Sequence, residues 1–373
     1  MCARTGAANS IALAGAGLRT RSGSHSLCNV TSSNDAITER DRETAARSVS
    51  VVVPNWNGAD LLARNLPVVW EAVRSHPASA ELIVVDDGSH DDSRAVVTAL
   101  GGIRLVSHEH NRGFGSACMT GVLAARHDLV LLLNSDARIE PGTLALLCRP
   151  FEADETFAAS PLVLDENGAV TDVTINVPFL SRGRIRYRAD AARSLAGAAA
   201  GPLPWYTLFP SGGAVLVHRE RFLALGGFDP IFHPFYYEDV DLGVCAWRRG
   251  WTCVVVPEGR VTHGDSSTIK RSFNHFRIAV IRKRNRVLFH CKNLTSTGDL
   301  AAHIAQQVRR SLANLVRLDT LELLGLLLAL PHFPAAFARR RAERAGACRS
   351  EREIFELIEQ RWRKKLESRD ALS

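Results

Sequence analysis

The chain lacks the residue patterns of several common protein classes. Its eight cysteines include no CxxC pair and no zinc-ligand spacing. We therefore expect neither a zinc site nor a disulfide-stapled scaffold, and we expect reduced thiols in a cytoplasm. Long hydrophobic runs are also missing, because the apolar stretch Leu321 to Leu330 contains Glu322 and ends at Pro331. A membrane span needs about 18 to 20 residues, so the sequence predicts no transmembrane helix.

Two nucleotide-binding signatures are absent as well. No GxxxxGK[ST] motif occurs, and no GxGxxG motif follows the first predicted strand. Phosphate binding by a P-loop and ordinary dinucleotide binding both depend on those glycines. Neither class of site is expected.

The composition that remains is typical of a globular protein with an uneven charge distribution. Of 373 residues, 46% are hydrophobic and 23% are charged, which excludes a wholly disordered chain. Residues 270–373 carry 22 Lys and Arg against 10 Asp and Glu, a net charge of +12, so residues 1–269 carry −5. A basic tail on an acidic front favours an anionic surface or carrier over nucleic acid as partner.

The hydrophobic pattern predicts three segments. Residues 1–47 have no sustained period and are expected to form a disordered leader. Residues 48–269 alternate strands with helices, which predicts a parallel α/β sheet with an irregular part at about 160–210, including strands at Ala158 to Leu164 and Val170 to Ile175. Residues 270–373 are predicted to form a basic helical extension.

Carboxylates follow the predicted strand ends. They are Asp86 and Asp87, then Asp136, and later Glu238, Asp239 and Asp241. Carboxylates are costly to cluster unless a cation or a hydroxyl-rich ligand holds them, and ligands of open α/β sheets bind at this edge. Each carboxylate alone is also compatible with a turn or helix cap, above all Asp87 before Gly88.

Seven motifs in a fixed order resemble family 2 glycosyltransferases. They are Val51-Val-Val-Pro-Asn-Trp-Asn-Gly58, Val84-Val-Asp-Asp-Gly-Ser89, Asn111-Arg-Gly-Phe-Gly115, Leu131-Leu-Leu-Asn-Ser-Asp136, Gly212-Gly-Ala214, Gly226-Gly-Phe-Asp229 and Tyr237-Glu-Asp-Val-Asp-Leu242. The match covers about residues 48–265 and is most similar to bacterial rhamnosyltransferase-like members. The resemblance implies a GT-A fold with a mostly parallel sheet, here followed by the C-terminal helical extension.

The resemblance also implies a donor site. Asp86 would accept hydrogen bonds from the base or ribose of a nucleotide-diphosphate sugar, and Pro54, Asn55 and Asn57 would form the same wall. Arg112 and Gly113 would face a phosphate, although two glycines there are equally typical of a turn. Gly212 and Gly213 would let the backbone approach the donor sugar or the acceptor, unless they form a strand bulge.

A divalent ion is implied by the same resemblance. Asn134-Ser135-Asp136 stands where the family has its DxD-type metal motif, so Asp136 would bind Mg²⁺ or Mn²⁺ together with the diphosphate. His263 stands where many members place a metal-binding histidine. The reduced motif leaves a single carboxylate, so we expect weak metal affinity without substrate.

The catalytic roles implied are those of an inverting transferase. Asp239 matches the general base that takes the proton of the acceptor hydroxyl, and Glu238 would position the acceptor. For Asp241 a cap or an ion pair is the favoured interpretation. Trp205 and Tyr236 are candidates for stacking on a sugar ring.

The basic tail allows two interpretations. Residues 270–292 interleave Lys and Arg with apolar residues, and Leu321 to Leu330 followed by Arg339-Arg-Arg341 repeats the combination. A surface helix packed on the catalytic domain is one interpretation, and an in-plane membrane helix is the other. Two such segments favour peripheral membrane contact through residues 270–341.

Together these observations predict a cytoplasmic enzyme, peripheral on the inner face of the cell membrane. Its donor would be a nucleotide-diphosphate sugar and its acceptor a lipid-linked saccharide or a cell-surface polysaccharide. The alternatives are a nucleotidyltransferase, disfavoured because Pro54-Asn-Trp-Asn-Gly58 carries no cation, and a degenerate protein that binds sugar nucleotides without catalysis. Nucleic-acid binding is the least favoured alternative.

Overall fold

A computed structural model describes residues 47–171, 174–188, 205–264, 273–316 and 320–370. The predicted leader, residues 1–47, lies outside these ranges except for Arg47, which donates from Nη1 to the carbonyl oxygen of Phe151 over 2.7 Å.

The first part of the chain alternates strands and helices, as the hydrophobic pattern predicts. The elements are β1 (Val49–Asn55), α1 (Ala59–Arg74), β2 (Ala80–Asp86), α2 (Ser93–Leu100), β3 (Arg104–Ser107), α3 (Phe114–Ala124), β4 (Leu129–Leu133), β5 (Ala137–Ile139), α4 (Thr143–Cys148), β6 (Thr156–Leu164), β7 (Val177–Leu180), β8 (Ile185–Arg188), β9 (Trp205–Tyr206), β10 (Ala214–His218), α5 (Arg219–Ala224), α6 (Glu238–Arg248) and β11 (Thr252–His263).

The main sheet is mixed but mostly parallel. Its order is β3-β2-β1-β4-β10-β6-β11-β5, and β9 pairs with β11. Strands β1, β2, β3, β4, β6 and β11 run in one direction, whereas β5, β9 and β10 run against them. The carboxyl ends of β1, β2 and β4 and the start of β10 therefore meet at one edge.

Side-chain alternation explains how the sheet is covered on both faces. Val51 and Val53 of β1 pack in the core beneath α1 and α4, whereas Val52 packs in the core beneath α3 and α6. All five residues of β4 are buried, as a strand with two covered faces requires. The six cysteines in the described part of the chain have free thiols.

The sequence pattern missed the irregular part of the sheet. The predicted strand Val170 to Ile175 is wrong, because in its described residues only a single bridge joins Val170 to Leu164. Strands β5, β7, β8 and β9 have two to four residues each. Such short strands carry too few residues for a period of two to be recognised.

The C-terminal extension is helical, as predicted. Its helices are α7 (His275–Asn293), α8 (Thr297–Val316), α9 (Leu321–Ala329), α10 (Phe333–Ala345) and α11 (Glu351–Asp370).

The extension packs on the sheet through buried contacts. Val287, Leu288 and Phe289 of α7 belong to the same core as α3 and α6. On α11, the indole of Trp362 donates to the carbonyl oxygen of Tyr206 over 2.9 Å. Packing on the catalytic domain, one of the two interpretations of the basic tail, therefore holds for these faces.

One segment of the extension is longer than the sequence indicates. Helices α9 and α10 are joined by a 3-10 turn into a helical segment, Leu321–Ala345, which by length and composition alone could cross a membrane. The apolar run ends at Pro331, but the helical segment continues past this proline to Ala345. Proline lies in the first turn of both the 3-10 turn and α10, where its missing N–H is not needed. About 22% of the most apolar 18-residue stretch of the segment Leu321–Ala345 is buried.

Candidate active site

A large cleft lies at the edge of the sheet where the strand ends meet. Its volume is about 1460 Å³, and it is lined by β1 and β4 ends, the start of β10, the start of α6 and one side of α7. Among the predicted site residues it is lined by Pro54, Asn55, Gly113, Ser135, Asp136, Gly212, Gly213, Glu238, Asp239 and His263. The structure thus brings most of the predicted residues to one place.

Asp86 lies at the carboxyl end of β2, next to Asn55 at the end of β1. Its Oδ2 accepts from Nε of Arg94 over 2.7 Å, and the carboxylate is 1% exposed. Its Oδ1 and the Oδ1 of Asn55 are buried without a hydrogen-bond partner among the described residues. Two buried acceptors side by side are suited to a ligand that donates hydrogen bonds.

Asn57 holds the loop after β1 in place. It has a left-handed backbone (φ 49), and its Oδ1 accepts from the amide of His90 over 2.8 Å. Its own amide donates to Oγ of Ser89 over 2.9 Å. Asn57 therefore joins the loops that follow β1 and β2.

Asp87 has a defined structural role that the sequence did not reveal. It accepts hydrogen bonds from the amides of Arg112 and Gly113 over 2.9 and 2.8 Å, and from the ring of His108 over 2.6 Å. These amides are therefore already satisfied, and what Arg112 can still offer a phosphate is its exposed side chain. Gly113 has φ +90, and a Cβ there would lie 2.7 Å from the His233 ring.

Asp136 and His263 meet at the ends of β4 and β11. Oδ1 of Asp136 lies 3.2 Å from Nε2 of His263, and the amide Nδ2 of Asn134 lies 3.3 Å from the same nitrogen. The turn is held by Asn65, which donates from Nδ2 to the carbonyl oxygen of Ser135 over 2.9 Å. Within the described residues, no three His, Cys, Asp or Glu side chains are grouped as metal ligands.

Gly212 and Gly213 fit closely against the other site residues. A Cβ on Gly212 would lie 3.0 Å from Oδ2 of Asp239, and one on Gly213 would lie 2.8 Å from the ring of His263. The carbonyl oxygen of Gly213 accepts from the amide of Asn134 over 3.0 Å. Glycine at both positions lets three elements converge without a side chain between them.

Glu238 and Asp239 form a carboxylate pair in the first turn of α6. Burial raises the pKa of Asp239 to about 6 and that of Glu238 to about 8, the latter also through the neighbouring charge of Asp239. The amide of Val240 donates to Oδ1 of Asp239 over 2.8 Å. Oε2 of Glu238 is buried without a hydrogen-bond partner among the described residues.

The backbone before this pair is strained. Tyr236 and Tyr237 have φ of 72° and 78°, which bulky residues rarely adopt. The Nδ2 of Asn285 on α7 donates to the carbonyl oxygens of Phe235 and Tyr236, each over 2.9 Å. Such strain persists where the surroundings enforce it, and it is common at active sites.

Asp241 belongs to an ion pair, as the sequence favoured. Nζ of Lys292 lies 2.6 Å from Oδ2 of Asp241 and 2.8 Å from Oδ2 of Asp229, and the three groups are buried or nearly so. Nδ2 of Asn293 donates to Oδ1 of Asp241 over 2.7 Å. These contacts join α7 to the start of α6 and to the Gly226-Gly-Phe-Asp229 motif.

The two aromatic candidates differ. Trp205 is 4% exposed and its ring lies 4.6 Å from that of Trp362, so the expectation that it stacks on a sugar is wrong. Its strand pairs with β11 in the core, a long-range contact that no local pattern reveals. Tyr236 lines the cleft, with the guanidinium of Arg282 over its ring at 5.0 Å.

The sequence argument missed several residues that line the cleft, among them three with large polar side chains. Tyr187 comes from β8, and Arg282 and Arg286 come from α7. The two arginines were seen only as part of a basic tail. Their spacing of four residues places them on one helix face, which was the available signal.

Comparisons with known proteins agree with this geometry. Residues 50–201 match the family model described as glycosyl transferase family 2. The N-acetylglucosaminyl-diphospho-decaprenol L-rhamnosyltransferase of Mycobacterium tuberculosis is 30% identical over 213 residues, which cover 49% of this chain and 66% of that protein. The aligned part is just under two thirds of the length of that relative.

Two further matches are shorter or more distant. The undecaprenyl-phosphate 4-deoxy-4-formamido-L-arabinose transferase of Sodalis glossinidius is 37% identical over 104 residues, covering 26% of this chain and 32% of that protein. The crystal structure of GalNAc-T7 with UDP, GalNAc and Mn²⁺ superimposes with a TM-score of 0.51 at 19% identity, covering 70% of this chain and 51% of that one. At that identity the likeness concerns the fold alone.

Proposed function

We propose that the chain is a family 2 glycosyltransferase, which moves a sugar from a nucleotide-diphosphate sugar to a hydroxyl of a lipid-linked saccharide or cell-surface polysaccharide. The support is the family-model match over residues 50–201 and the 30% identical rhamnosyltransferase, and the fold is that of GT-A glycosyltransferases. One observation carries the proposal. Asp239, the Asp136–His263 pair and the close-fitting Gly212-Gly213 converge on one cleft at the strand ends.

The donor nucleotide is proposed to bind at the ends of β1 and β2. The unpartnered oxygens of Asp86 and Asn55 would accept from its base or ribose, while Pro54 and Asn57 shape the wall. The diphosphate would lie toward Ser135, Gly113 and the side chain of Arg112. Binding the donor here would leave the sugar next to Gly212 and Gly213.

A divalent ion, Mg²⁺ or Mn²⁺, fits the donor set at Asp136 and His263. A carboxylate oxygen and an imidazole nitrogen already lie 3.2 Å apart, and both are ligands that Mn²⁺ accepts. Two protein ligands leave room for phosphate oxygens, so tight binding should require the donor. When bound, the ion would neutralise charge that develops on the departing diphosphate.

Asp239 is proposed to act as general base in an inverting transfer. Its carboxylate takes the proton of the acceptor hydroxyl, the freed oxygen forms a bond to the anomeric carbon, and the bond to the nucleotide diphosphate breaks on the opposite face. The raised pKa makes the carboxylate a better proton acceptor near neutral pH. Glu238 would hold the acceptor sugar in position.

The nature of the acceptor is proposed from the relatives. The names of the two relatives refer to a diphospho-decaprenol and to undecaprenyl phosphate. A lipid-linked saccharide is consequently the favoured acceptor, and a rhamnosyl donor is the narrower proposal. A site on the inner face of the cell membrane would give a soluble sugar nucleotide and a lipid acceptor access to one enzyme.

Peripheral membrane contact through residues 270–341 is part of the proposal. Large apolar side chains are exposed on this extension; they are Phe276, Ile304, Val308, Leu312, Leu327, Leu328, Leu330 and Phe337. Arginines on the same helices would be attracted to anionic lipids. We name this set the exposed apolar face.

The proposal is tested with a panel of nucleotide sugars, with and without Mn²⁺ or Mg²⁺, and a short-chain prenyl-diphosphate-linked N-acetylglucosamine as acceptor. We expect one donor to be transferred, only with metal. Binding of a donor without transfer or hydrolysis under any condition would support the degenerate alternative. Release of diphosphate from a nucleoside triphosphate and a sugar phosphate would support a nucleotidyltransferase.

A further inference from the structure

Four arginines outside the proposed donor site form a group with little opposing charge. Arg184 precedes β8, Arg282 and Arg286 lie on α7, and Arg310 lies on α8. We call these four residues the arginine cluster. The loop before β8 packs on α7 and α8, since Nε2 of His290 lies 3.2 Å from the carbonyl oxygen of Ile185 and a Cβ on Gly183 would lie 2.7 Å from the amide nitrogen of His303. Burial, together with the charges of Arg310 and Arg286, lowers the pKa of Arg184 to about 10.

Glu322, which pairs with Arg286, is also engaged by Lys283. Oε2 of Glu322 accepts from Nη2 of Arg286 over 2.6 Å, and its Oε1 is paired with Lys283. Among the described residues, Arg184, Arg282 and Arg310 have no ion pair of their own. Nε of Arg184 and Nε of Arg286 are buried without a hydrogen-bond partner in the same part of the chain. The cluster therefore holds an excess of positive charge and free donors.

The cluster reaches the catalytic cleft. Arg282 and Arg286 line the same cleft as Asp239. The guanidinium of Arg282 lies over the ring of Tyr236, three residues before Asp239. Arg282 and Asp239 also act in opposite directions on the pKa of Tyr187. Arg282 and Arg286 thus lie on the side of the cleft that α7 forms, whereas the Asp136–His263 pair lies at the ends of β4 and β11.

An apolar path continues from these arginines to the surface. Phe276, Leu324 and Leu328 line the same cleft, and Phe276 and Leu328 are about half exposed. Leu328 belongs to the exposed apolar face. The same cleft therefore offers one ligand a carboxylate base, guanidinium groups and apolar side chains.

We propose that the arginine cluster binds the diphosphate of a prenyl-diphosphate-linked acceptor, with the prenyl chain on Phe276, Leu324 and Leu328 and the sugar hydroxyl at Asp239. Guanidinium groups bind phosphate oxygens in bidentate fashion, and the apolar path suits an isoprenoid. The inference rests on the proposed function and names the residues that would hold the acceptor diphosphate. It is distinct from the donor diphosphate site at Asp136 and His263.

The test is calorimetric binding of farnesyl diphosphate, farnesol and inorganic diphosphate to the full chain. The variants are Arg282→Gln and Arg310→Gln, neither of which breaks an ion pair among the described residues. Arg309→Gln, an exposed neighbour of Arg310, is the matched control. We expect farnesyl diphosphate to bind better than the other two probes, and to bind about tenfold more weakly to Arg282→Gln and Arg310→Gln. Arg309→Gln should bind it as the wild type does.

Several results would overturn the inference. Unchanged affinity of Arg282→Gln and Arg310→Gln for farnesyl diphosphate would exclude the cluster as its site. An equal loss of nucleotide-diphosphate binding in the presence of Mn²⁺ would assign the cluster to the donor instead. Inorganic diphosphate binding as tightly as farnesyl diphosphate would exclude the prenyl path. Donor hydrolysis measured in parallel separates the two proposals, because a wild type that hydrolyses a donor but binds no farnesyl diphosphate leaves the proposed function standing.

Discussion

At the scale of single residues, the site depends on very short distances around two glycines. The Cβ of an alanine at position 212 would lie 3.0 Å from Oδ2 of Asp239, closer than ordinary contact. The carboxylate would have to move, while no backbone atom is obstructed. Displacement of the base is therefore expected to lower the rate of transfer and to leave the stability of the protein nearly unchanged.

Gly212→Ala is expected to lower kcat by about tenfold to a hundredfold, because a general base misplaced by a fraction of an ångström no longer meets the hydroxyl. The melting temperature should change little. Gly298→Ala is the control, since a Cβ there would meet only Oγ of Ser296, at 3.7 Å. A Gly212→Ala enzyme with wild-type kcat would contradict the placement of Asp239.

The pH profile tests the state of the carboxylate. A base must be deprotonated to act, and burial raises the pKa of Asp239 to about 6. Activity should therefore be lost as the pH falls through that value, with about a tenfold drop at pH 5 relative to the plateau. An unperturbed aspartate would remain active there. The same acid limb is expected in Glu238→Gln, because burial of Asp239 itself is the main cause.

A rate that stays constant down to pH 5 would show that the base is not buried as described. Loss of the acid limb in Glu238→Gln would assign it to Glu238 instead.

At the scale of elements, the sequence predicted regular units well and their docking poorly. Val49–Asn55 and Leu129–Leu133 have patterns that define buried strands, and the polar residues after them fall at the sheet edge because of the parallel topology. The position of Asp136 could therefore be predicted, whereas Asp239, in the first turn of α6, was identified through the resemblance to the family. The hairpin that carries Tyr187 has strands of four residues each, and arginines alternate along β8, so neither strand gives a clear signal.

The position of α7 illustrates what a local pattern cannot contain. Its two faces were equally compatible with membrane contact and with packing. The choice is made by Lys292, which pairs with Asp241, 51 residues away, and with Asp229, 63 residues away. Those contacts also decide that Arg282 and Arg286 face the cleft, so the arginines could not be assigned from sequence.

Lys292→Ala is expected to destabilise the protein by about 3 to 5 kcal/mol, because it leaves the buried carboxylate of Asp241 without its cation, while Asp229 keeps Arg339, whose Nε lies 2.8 Å from its Oδ2. Urea denaturation measures the change. Arg341→Ala, at an exposed residue of α10, should cost less than about 0.5 kcal/mol. A Lys292→Ala variant as stable as Arg341→Ala would mean that α7 is not held by this lysine.

At the scale of the whole molecule, positive charge and exposed apolar side chains are both concentrated in the C-terminal extension. Residues 270–373 carry a net charge of +12, and large apolar side chains are exposed on α7, α8, α9 and α10. A soluble surface rarely combines the two over several helices. The sequence predicted this combination, while the exposed set itself emerged only from the packing of the helices.

The full chain is accordingly expected to bind vesicles that contain anionic lipids, and to bind them less as salt increases. Leu328→Glu should weaken binding by about tenfold, because it removes an apolar contact and adds a like charge. Leu123→Glu is the matched control, since Leu123 is 59% exposed on α3 of the sheet domain. Equal binding of both variants in vesicle sedimentation would exclude the exposed apolar face as the surface that contacts the membrane.

The central claim is that Asp239 removes the acceptor proton in a transfer from a nucleotide-diphosphate sugar. Its most direct test compares the wild type with Asp239→Asn for both donor binding and transfer, using the donor selected from the panel and Mn²⁺. We predict that Asp239→Asn binds the donor with unchanged affinity and loses transfer by about a hundredfold to ten-thousandfold. Transfer within a few fold of wild type would contradict the claim and move the base to another residue.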